Sequence, residues 1–318
     1  LTGRLRCEGV PAPRVGRGTV PHVERPAPQF GVEVDAAGLQ AALPENDHHG
    51  VRRTVEVGGK LVGVPAEQRI AAVGVDAAEP AGGDITVSFV AGDVVVTQGG
   101  TVLSRSPVAT IGSLTVEGSA ANDRFVIDTT DGNPIPSGGL FVNGNAETGS
   151  PGDAIVLQGT AVSGLAFGFD NANDGDITLA GIGMISYTGL EPITSTITAT
   201  NVTLNYSTAS ETITVTDPGS NRTTVTSTFG EVVTFNNPTG TLTINAGDMG
   251  DDTININGLA ASYPANIVVN GESGADTVNI NAVVNLGAGE SLTVTGVNTI
   301  NLPNALSDVS TYGAGTVS

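Results

Sequence analysis

Two short loops in the last third of the chain hold the residue types best suited to chemistry. They read Gly247-Asp-Met-Gly250-Asp-Asp252-Thr-Ile254 and Gly271-Glu-Ser-Gly274-Ala-Asp276-Thr-Val278. In each, glycine stands first and fourth, aspartate sixth and an apolar residue eighth. Glycine lets the backbone curl so that carbonyl oxygens turn inward, the aspartate adds a charged oxygen, and the apolar residue anchors the loop on a core. Ca²⁺ takes six to eight such oxygens. The candidate ligands are therefore Gly247, Gly250, Asp252, Gly271, Gly274 and Asp276, with Asp123 added from the looser copy Gly118-Ser-Ala-Ala-Asn-Asp123-Arg-Phe125. That copy has Ala121 at the fourth place, and Gly149-Ser-Pro-Gly152-Asp153 sets its aspartate one place early. With so few good copies, affinity is expected in the weak range of extracellular modules, roughly 10⁻⁴–10⁻³ M. The same spacing also reads as plain turn chemistry, in which the aspartate accepts backbone N–H groups.

The loops join strand-like runs that recur. Leu242-Thr-Ile-Asn245 is followed 25 residues on by Ile267-Val-Val-Asn270, and 25 further by Leu292-Thr-Val-Thr295. A second strand follows each of the first two: Thr253-Ile-Asn-Ile-Asn257 and Thr277-Val-Asn-Ile-Asn281. An earlier copy runs from Leu114 into Arg124-Phe-Val-Ile-Asp128, and looser ones start at Leu140 and Val202. A unit of about 25 residues cannot bury its own apolar face, whereas stacked units can, with strands about 4.8 Å apart from coil to coil. Asn245 with Asn270, and Asn257 with Asn281, would then form hydrogen-bonded ladders. The expected fold is all-β: a right-handed parallel β-helix or solenoid of seven or eight coils over residues 83–318, acids left outside. Irregular spacing in 140–240 keeps tandem β-sandwich modules open as the alternative.

Composition agrees. The 318 residues include 44 Gly and no Trp. Residues 1–80 hold 9 basic and 10 acidic residues; residues 81–318 hold 3 and 22, giving 3 − 22 = −19. Such a body repels nucleic acid and anionic membranes. No apolar run is long enough for a membrane-spanning helix. Residues 1–82, rich in scattered Pro and Arg, read as a poorly ordered leader or linker or an atypical N-terminal segment. Asp35–Leu43 and Pro65–Val73 are its two candidate short helices. A chain that does not begin with Met reads as a fragment or processed product. The lone Cys7 cannot form an intramolecular disulfide.

In these loops and repeats the chain resembles bacterial β-strand-repeat surface and secreted proteins with hemolysin-type (RTX-like) calcium-binding repeats. The phrase Ile185-Ser-Tyr-Thr-Gly-Leu-Glu-Pro192, followed by the copies over 242–281, adds to the likeness, which covers about 84–302. It implies an extracellular, cell-surface location and Ca²⁺ as cofactor. In that family the nonapeptides run in tandem, so that each ion sits between adjacent turns; here the two good copies lie 24 residues apart.

The expected role is a structural or adhesive segment of a large extracellular protein. Its partners would be cell-surface or extracellular-matrix components, with self-association through coil edges and no nucleic acid or membrane insertion. A calcium-dependent ligand-binding module is one alternative. A carbohydrate-active parallel β-helix enzyme, lyase or hydrolase, is the other. A lyase needs a base, yet beyond residue 80 the only cations are Arg105, Arg124 and Arg222. A glycosidase needs two carboxylates facing a cleft, and the adjacent acids Asp251–Asp252 and Asp174–Asp176 sit in turns that read as solvated. No catalytic residue is assigned. His48-His49 with Glu45 and Asp47 read as an exposed polar turn, and the sequons at Asn201, Asn205 and Asn221 as ordinary polar strand faces.

Overall fold

Thr241-Leu-Thr-Ile-Asn245 shows why the chain forms strands: Leu242 and Ile244 are buried while the residues between them are half-buried. Alternation of this kind, in Val, Ile and Thr, suits a pleated sheet with one face on a core. In a computed structural model, residues 66–71, 84–119, 121–145, 152–302 and 309–312 are described, all within the unit spanning 49–318. The strands are β1 (Ala66–Ala71), β2 (Ile85–Val90), β3 (Asp93–Gln98), β4 (Thr101–Pro107), β5 (Ile111–Glu117), β6 (Arg124–Asp128), β7 (Leu140–Asn143) and β8 (Ala154–Gln158). Next come β9 (Val162–Phe169), β10 (Gly175–Leu179), β11 (Gly183–Thr188), β12 (Ile193–Ser195), β13 (Ala199–Asn205), β14 (Thr212–Thr216), β15 (Arg222–Thr226) and β16 (Val233–Asn236). The last are β17 (Thr241–Asn245), β18 (Thr253–Ile256), β19 (Asn266–Asn270), β20 (Thr277–Ile280), β21 (Val284–Ala288), β22 (Leu292–Thr295), β23 (Thr299–Asn301) and β24 (Val309–Tyr312).

The fold is all-β and follows the logic of a parallel solenoid. Successive coils give one strand to a ten-stranded sheet, ordered β1-β5-β7-β11-β10-β9-β13-β17-β19-β22, and one to a twelve-stranded sheet, ordered β23-β20-β18-β14-β15-β16-β12-β8-β6-β2-β3-β4. Coil-to-coil pairs are parallel and in register: Val202, Leu242, Ile267 and Leu292 form one row, and Ile213, Ile254, Val278 and Ile300 another. One continuous core runs between the sheets from Ile85 to Leu292, so the layers do not divide into separate sandwich cores. Among the described residues no third sheet closes the coils along their length. Among these the third side consists of β21 paired with β24 and a bridge from Tyr263 to Leu286.

Irregular spacing in 140–240 has a specific cause. In the first sheet β9, β10 and β11 form an antiparallel meander, and in the second β14, β15 and β16 form another. Each meander adds two strands to its sheet, so the two detours offset one another and the sheets regain equal height. The circuit lengthens accordingly: Ile155 pairs with Ile193, 38 residues on, and Ile193 with Val233, 40 on. The three connections that climb past these detours lie side by side, bonded Thr196 N–H to Leu157 O, Val162 N–H to Thr198 O and Gly240 N–H to Thr200 O. A hairpin extension, β2–β3–β4, caps one end of the twelve-stranded sheet.

One sequence expectation is corrected. Within Pro65–Val73, read as a short helix, Ala66–Ala71 is strand β1 and pairs in parallel with β5. An open sheet edge at β5 supplies ladder partners that an isolated short helix lacks. The Asp35–Leu43 helix, Cys7, His48-His49 and Gly149 lie outside the described residues.

Candidate functional site

Period two along a strand places the residue two before an inward side chain on the same inward side. Ile254, Val278 and Phe125 face the core, and two residues before them stand Asp252, Asp276 and Asp123. These aspartates are 1%, 0% and 2% exposed, against the expectation that the acids stay outside. Asp251, of opposite parity, is exposed. The same offset from Ile155, Ile193, Val233 and Ile213 finds Asp153, Glu191, Glu231 and Glu211, of which Asp153, Glu231 and Glu211 are buried. Because Phe125, Ile155, Ile193 and Val233 share a row, and Ile213, Ile254 and Val278 another, the acids form a column in two runs along one edge of the twelve-stranded sheet, Asp123 to Glu231 and Glu211 to Asp276, with β15 between the runs.

Toward both ends of this column the side chains bond one layer to the next. The Asp123 amide donates to Asp153 Oδ1 at 2.5 Å. The Glu211 amide donates to Asp252 Oδ1 at 2.7 Å, the Asp252 amide to Asp276 Oδ1 at 2.8 Å, and the Asp276 amide to Asn298 Oδ1 at 3.1 Å. Within its own loop, Asp123 Oδ2 accepts from the Ser119 amide at 2.5 Å, and Glu211 Oε1 from the Ser207 amide at 3.1 Å. Glu211 also accepts from the Ser227 hydroxyl. The glycines make room: a Cβ at Gly271 would lie 2.5 Å from the Gly296 carbonyl oxygen and 2.8 Å from Asp276 Oδ2, and one at Gly118 would lie 3.0 Å from Asp123 Oδ2. Gly247, with φ +102°, and Gly274, with φ +151°, take left-handed backbone against the preceding coil, while Gly250 approaches Ala209 O and Asp252.

Of the seven residues singled out as calcium ligands, the structure brings two carboxylates into neighbouring layers, Asp252 and Asp276. Asp123 sits toward the other end of the column, bonded to Asp153. One oxygen of each, Asp252 Oδ2, Asp276 Oδ2 and Asp123 Oδ1, has no hydrogen-bond partner in the protein. Among the described residues no group of three or more His, Cys, Asp or Glu converges to hold a metal. Two neighbouring carboxylate oxygens are a partial donor set beside the six to eight that Ca²⁺ requires. Burial pushes the Asp252 carboxyl up to about 6 against the hydrogen bond from the Glu211 amide, with Asp276, Glu211 and Asp251 adding repulsion.

Glu211, Glu231 and Glu191 were not singled out in the sequence, because they lack the Gly-x-x-Gly frame. Their parity relative to the next inward residue was the available signal. Asparagine ladders run beside the column. Asn245 Nδ2 donates to Asn205 Oδ1 at 2.7 Å, Asn270 Nδ2 to Asn245 Oδ1 at 2.8 Å, and the Thr295 hydroxyl to Asn270 Oδ1 at 2.7 Å. Asn281 donates to Asn257 at 2.8 Å, Asn279 to Asn255 and Asn301 to Asn279, both at 2.9 Å. Arg105 pairs with Asp93 and Arg124 with Asp84, both at exposed sites, and Arg222 donates to the carbonyls of Ser195 and Thr234. Among the described residues no helix is long and apolar enough to cross a membrane. No family model, curated protein or solved structure matches the chain.

Proposed function

We propose that this chain is a structural and adhesive segment of a large bacterial extracellular repeat protein, acting through a rigid stack of coils and not through catalysis. The observation that carries this reading is how the recurring polar side chains are used. Asparagines and acids at equivalent coil positions bond one layer to the next, which serves stiffness and does not leave them poised toward a substrate. Stability in such an array is close to a sum of nearest-neighbour contacts. Its partners are cell-surface or extracellular-matrix components, and further copies met at the coil edges.

The test exposes the purified chain to immobilised matrix proteins and neutral and acidic polysaccharides, and assays the same polysaccharides for new reducing ends or unsaturated products. Binding without turnover is expected. Product release would overturn the reading in favour of a carbohydrate-active enzyme.

Calcium enters as a stabiliser of the column, favoured by the buried oxygens of Asp252 and Asp276 that have no donor. Millimolar Ca²⁺ should raise the melting temperature, by about 2–4 °C if it contributes about 1 kcal/mol to a domain of this size. Asp252→Ala with Asp276→Ala should abolish the increment, and an unchanged melting temperature in the parent protein removes calcium from the proposal.

A further inference from the structure

Glu231 differs from the other buried acids of the column. It is 0% exposed, and neither carboxyl oxygen meets a hydrogen-bond donor within ordinary distance. Two phenols share this condition nearby: the Tyr187 and Tyr206 hydroxyls are buried and have no protein partner. The three are grouped around Phe169: Tyr187 is in register with it through Gly175, the Tyr206 ring packs on it, and Gly230, next to Glu231, approaches both rings. Tyr187 ends β11, Tyr206 follows β13, and Glu231 precedes β16. Apolar packing closes the place off: the Tyr206 ring lies 4.8 Å from that of Phe169, and a Cβ at Gly230 would meet both.

The titratable groups facing Glu231 from the surrounding elements are acidic or phenolic. They are Tyr187 on β11, Tyr206 beyond β13, Glu191 before β12 and Asp174 before β10, with Glu211 facing Tyr206 and Asp170 and Asp176 facing Tyr187. The backbone of Arg222 stands opposite Asn236, and its guanidinium is engaged by the carbonyls of Ser195 and Thr234. A bare carboxylate buried among like charges is unfavourable by several kcal/mol and discards its charge instead.

We propose that Glu231 is held as a neutral carboxylic acid at neutral pH, packed beside the Tyr187 and Tyr206 phenols, so that the junction of the two meanders is a proton-dependent latch. Protonation removes a charge that no cation or hydrogen-bond partner compensates in this site. Burial pushes the group up to about 8, with repulsion from Glu191 and Asp174 adding to it. The folded state therefore holds a proton that the unfolded chain, titrating near 4.5, releases. Folding stability conferred by the latch is complete below the unfolded value and declines as pH rises to about 8. Above that, ionised Glu231 would loosen the packing around Phe169 and Tyr206.

Infrared spectroscopy of the full chain at pH 7 tests this directly. The carbonyl stretch of a protonated carboxylic acid should be present, should fade as pH passes about 8, and should be missing from Glu231→Gln. In urea titrations between pH 6.5 and 7.5, the unfolding constant of the parent protein should increase by up to about tenfold per pH unit more than that of Glu231→Gln. Ionised carboxyls throughout at pH 7, or identical slopes in parent and variant, overturn the proposal. Should Glu231→Gln fail to fold, the band of the parent protein and its loss near pH 8 still decide. A band that is absent until a chelator is added would assign the site to a cation and equally overturn it.

Discussion

Gly271 and Asp276 act as one packing unit, because the carboxylate occupies the space a Cβ would need. Gly271→Ala should therefore destabilise by about 1–3 kcal/mol. Gly258→Ala is the control: a Cβ there meets nothing nearer than Asp217 N at 4.0 Å, and its φ is ordinary, so a gain of about 0.4–1 kcal/mol is expected. Denaturant titration separates the two. Asp276→Asn should be tolerated, since Asn298 already accepts the amide of the layer before it in this manner. Asp276→Ala strands the Asp252 amide and should cost about 1–3 kcal/mol. At this scale the sequence was half legible. Gly-x-x-Gly-x-Asp reads as a turn with an amide-capping acid, but a polar turn also reads as solvated, so the burial of the acid is not legible in the motif alone. Counting two back from Ile254 or Val278 would have placed the acids inside.

Elements show where sequence spacing loses its meaning. The 25-residue rows from β17 to β22, and the Asn245–Asn270 and Asn257–Asn281 ladders, were readable because parallel coils repeat one side-chain position at one interval. The meanders were not. Strands β10 and β15 alternate as coil strands do, and nothing local reveals that they turn back antiparallel; partner choice in a sheet depends on distant segments. The 38- and 40-residue circuits they create looked like a change of fold. Ladder position sets the energy of each asparagine. Asn245 bonds Asn205 on one side and Asn270 on the other, so Asn245→Ala should cost about 1–2 kcal/mol. Asn301 is exposed and donates to Asn279 at the edge of its sheet, so Asn301→Ala should cost about 0.5 kcal/mol. Equal effects in urea unfolding would mean that the ladders decorate the coils without binding them.

Across the whole molecule, the charge distribution predicts an unusual dependence on pH. Residues 81–318 carry 22 acids against 3 arginines, and the acids of the column sit in adjacent layers with no cation among them. Like charges at a layer spacing of about 4.8 Å repel by about 3 kcal/mol at an effective dielectric of 20. Two acids besides Glu231 are raised: Asp252 to about 6 by burial and its neighbours, and Asp176 by burial and Asp170. A raised acid is a better proton binder folded than unfolded, so these groups make the protein more stable as pH falls from 8 toward 4.5. Others oppose them below that. Hydrogen bonds from Asn171 and Thr188 outweigh burial and, with the Gly189 amide, lower Asp174. At Asp128 burial raises, but bonds from Thr130 and Gln158 win and lower it. Their contribution is present above the unfolded value and lost as pH drops below about 4. Calorimetry across pH 3–9 should accordingly find the highest melting temperature between about pH 4 and 5.5, with a decline toward pH 8 that salt partly reverses by screening. Asp252→Asn should flatten the slope between pH 4.5 and 6, and Glu231→Gln the slope above it. A maximum at pH 7–8 would mean that the column's charges are neutralised by bound cations and not by protons, and the stack would then owe its cohesion to ions.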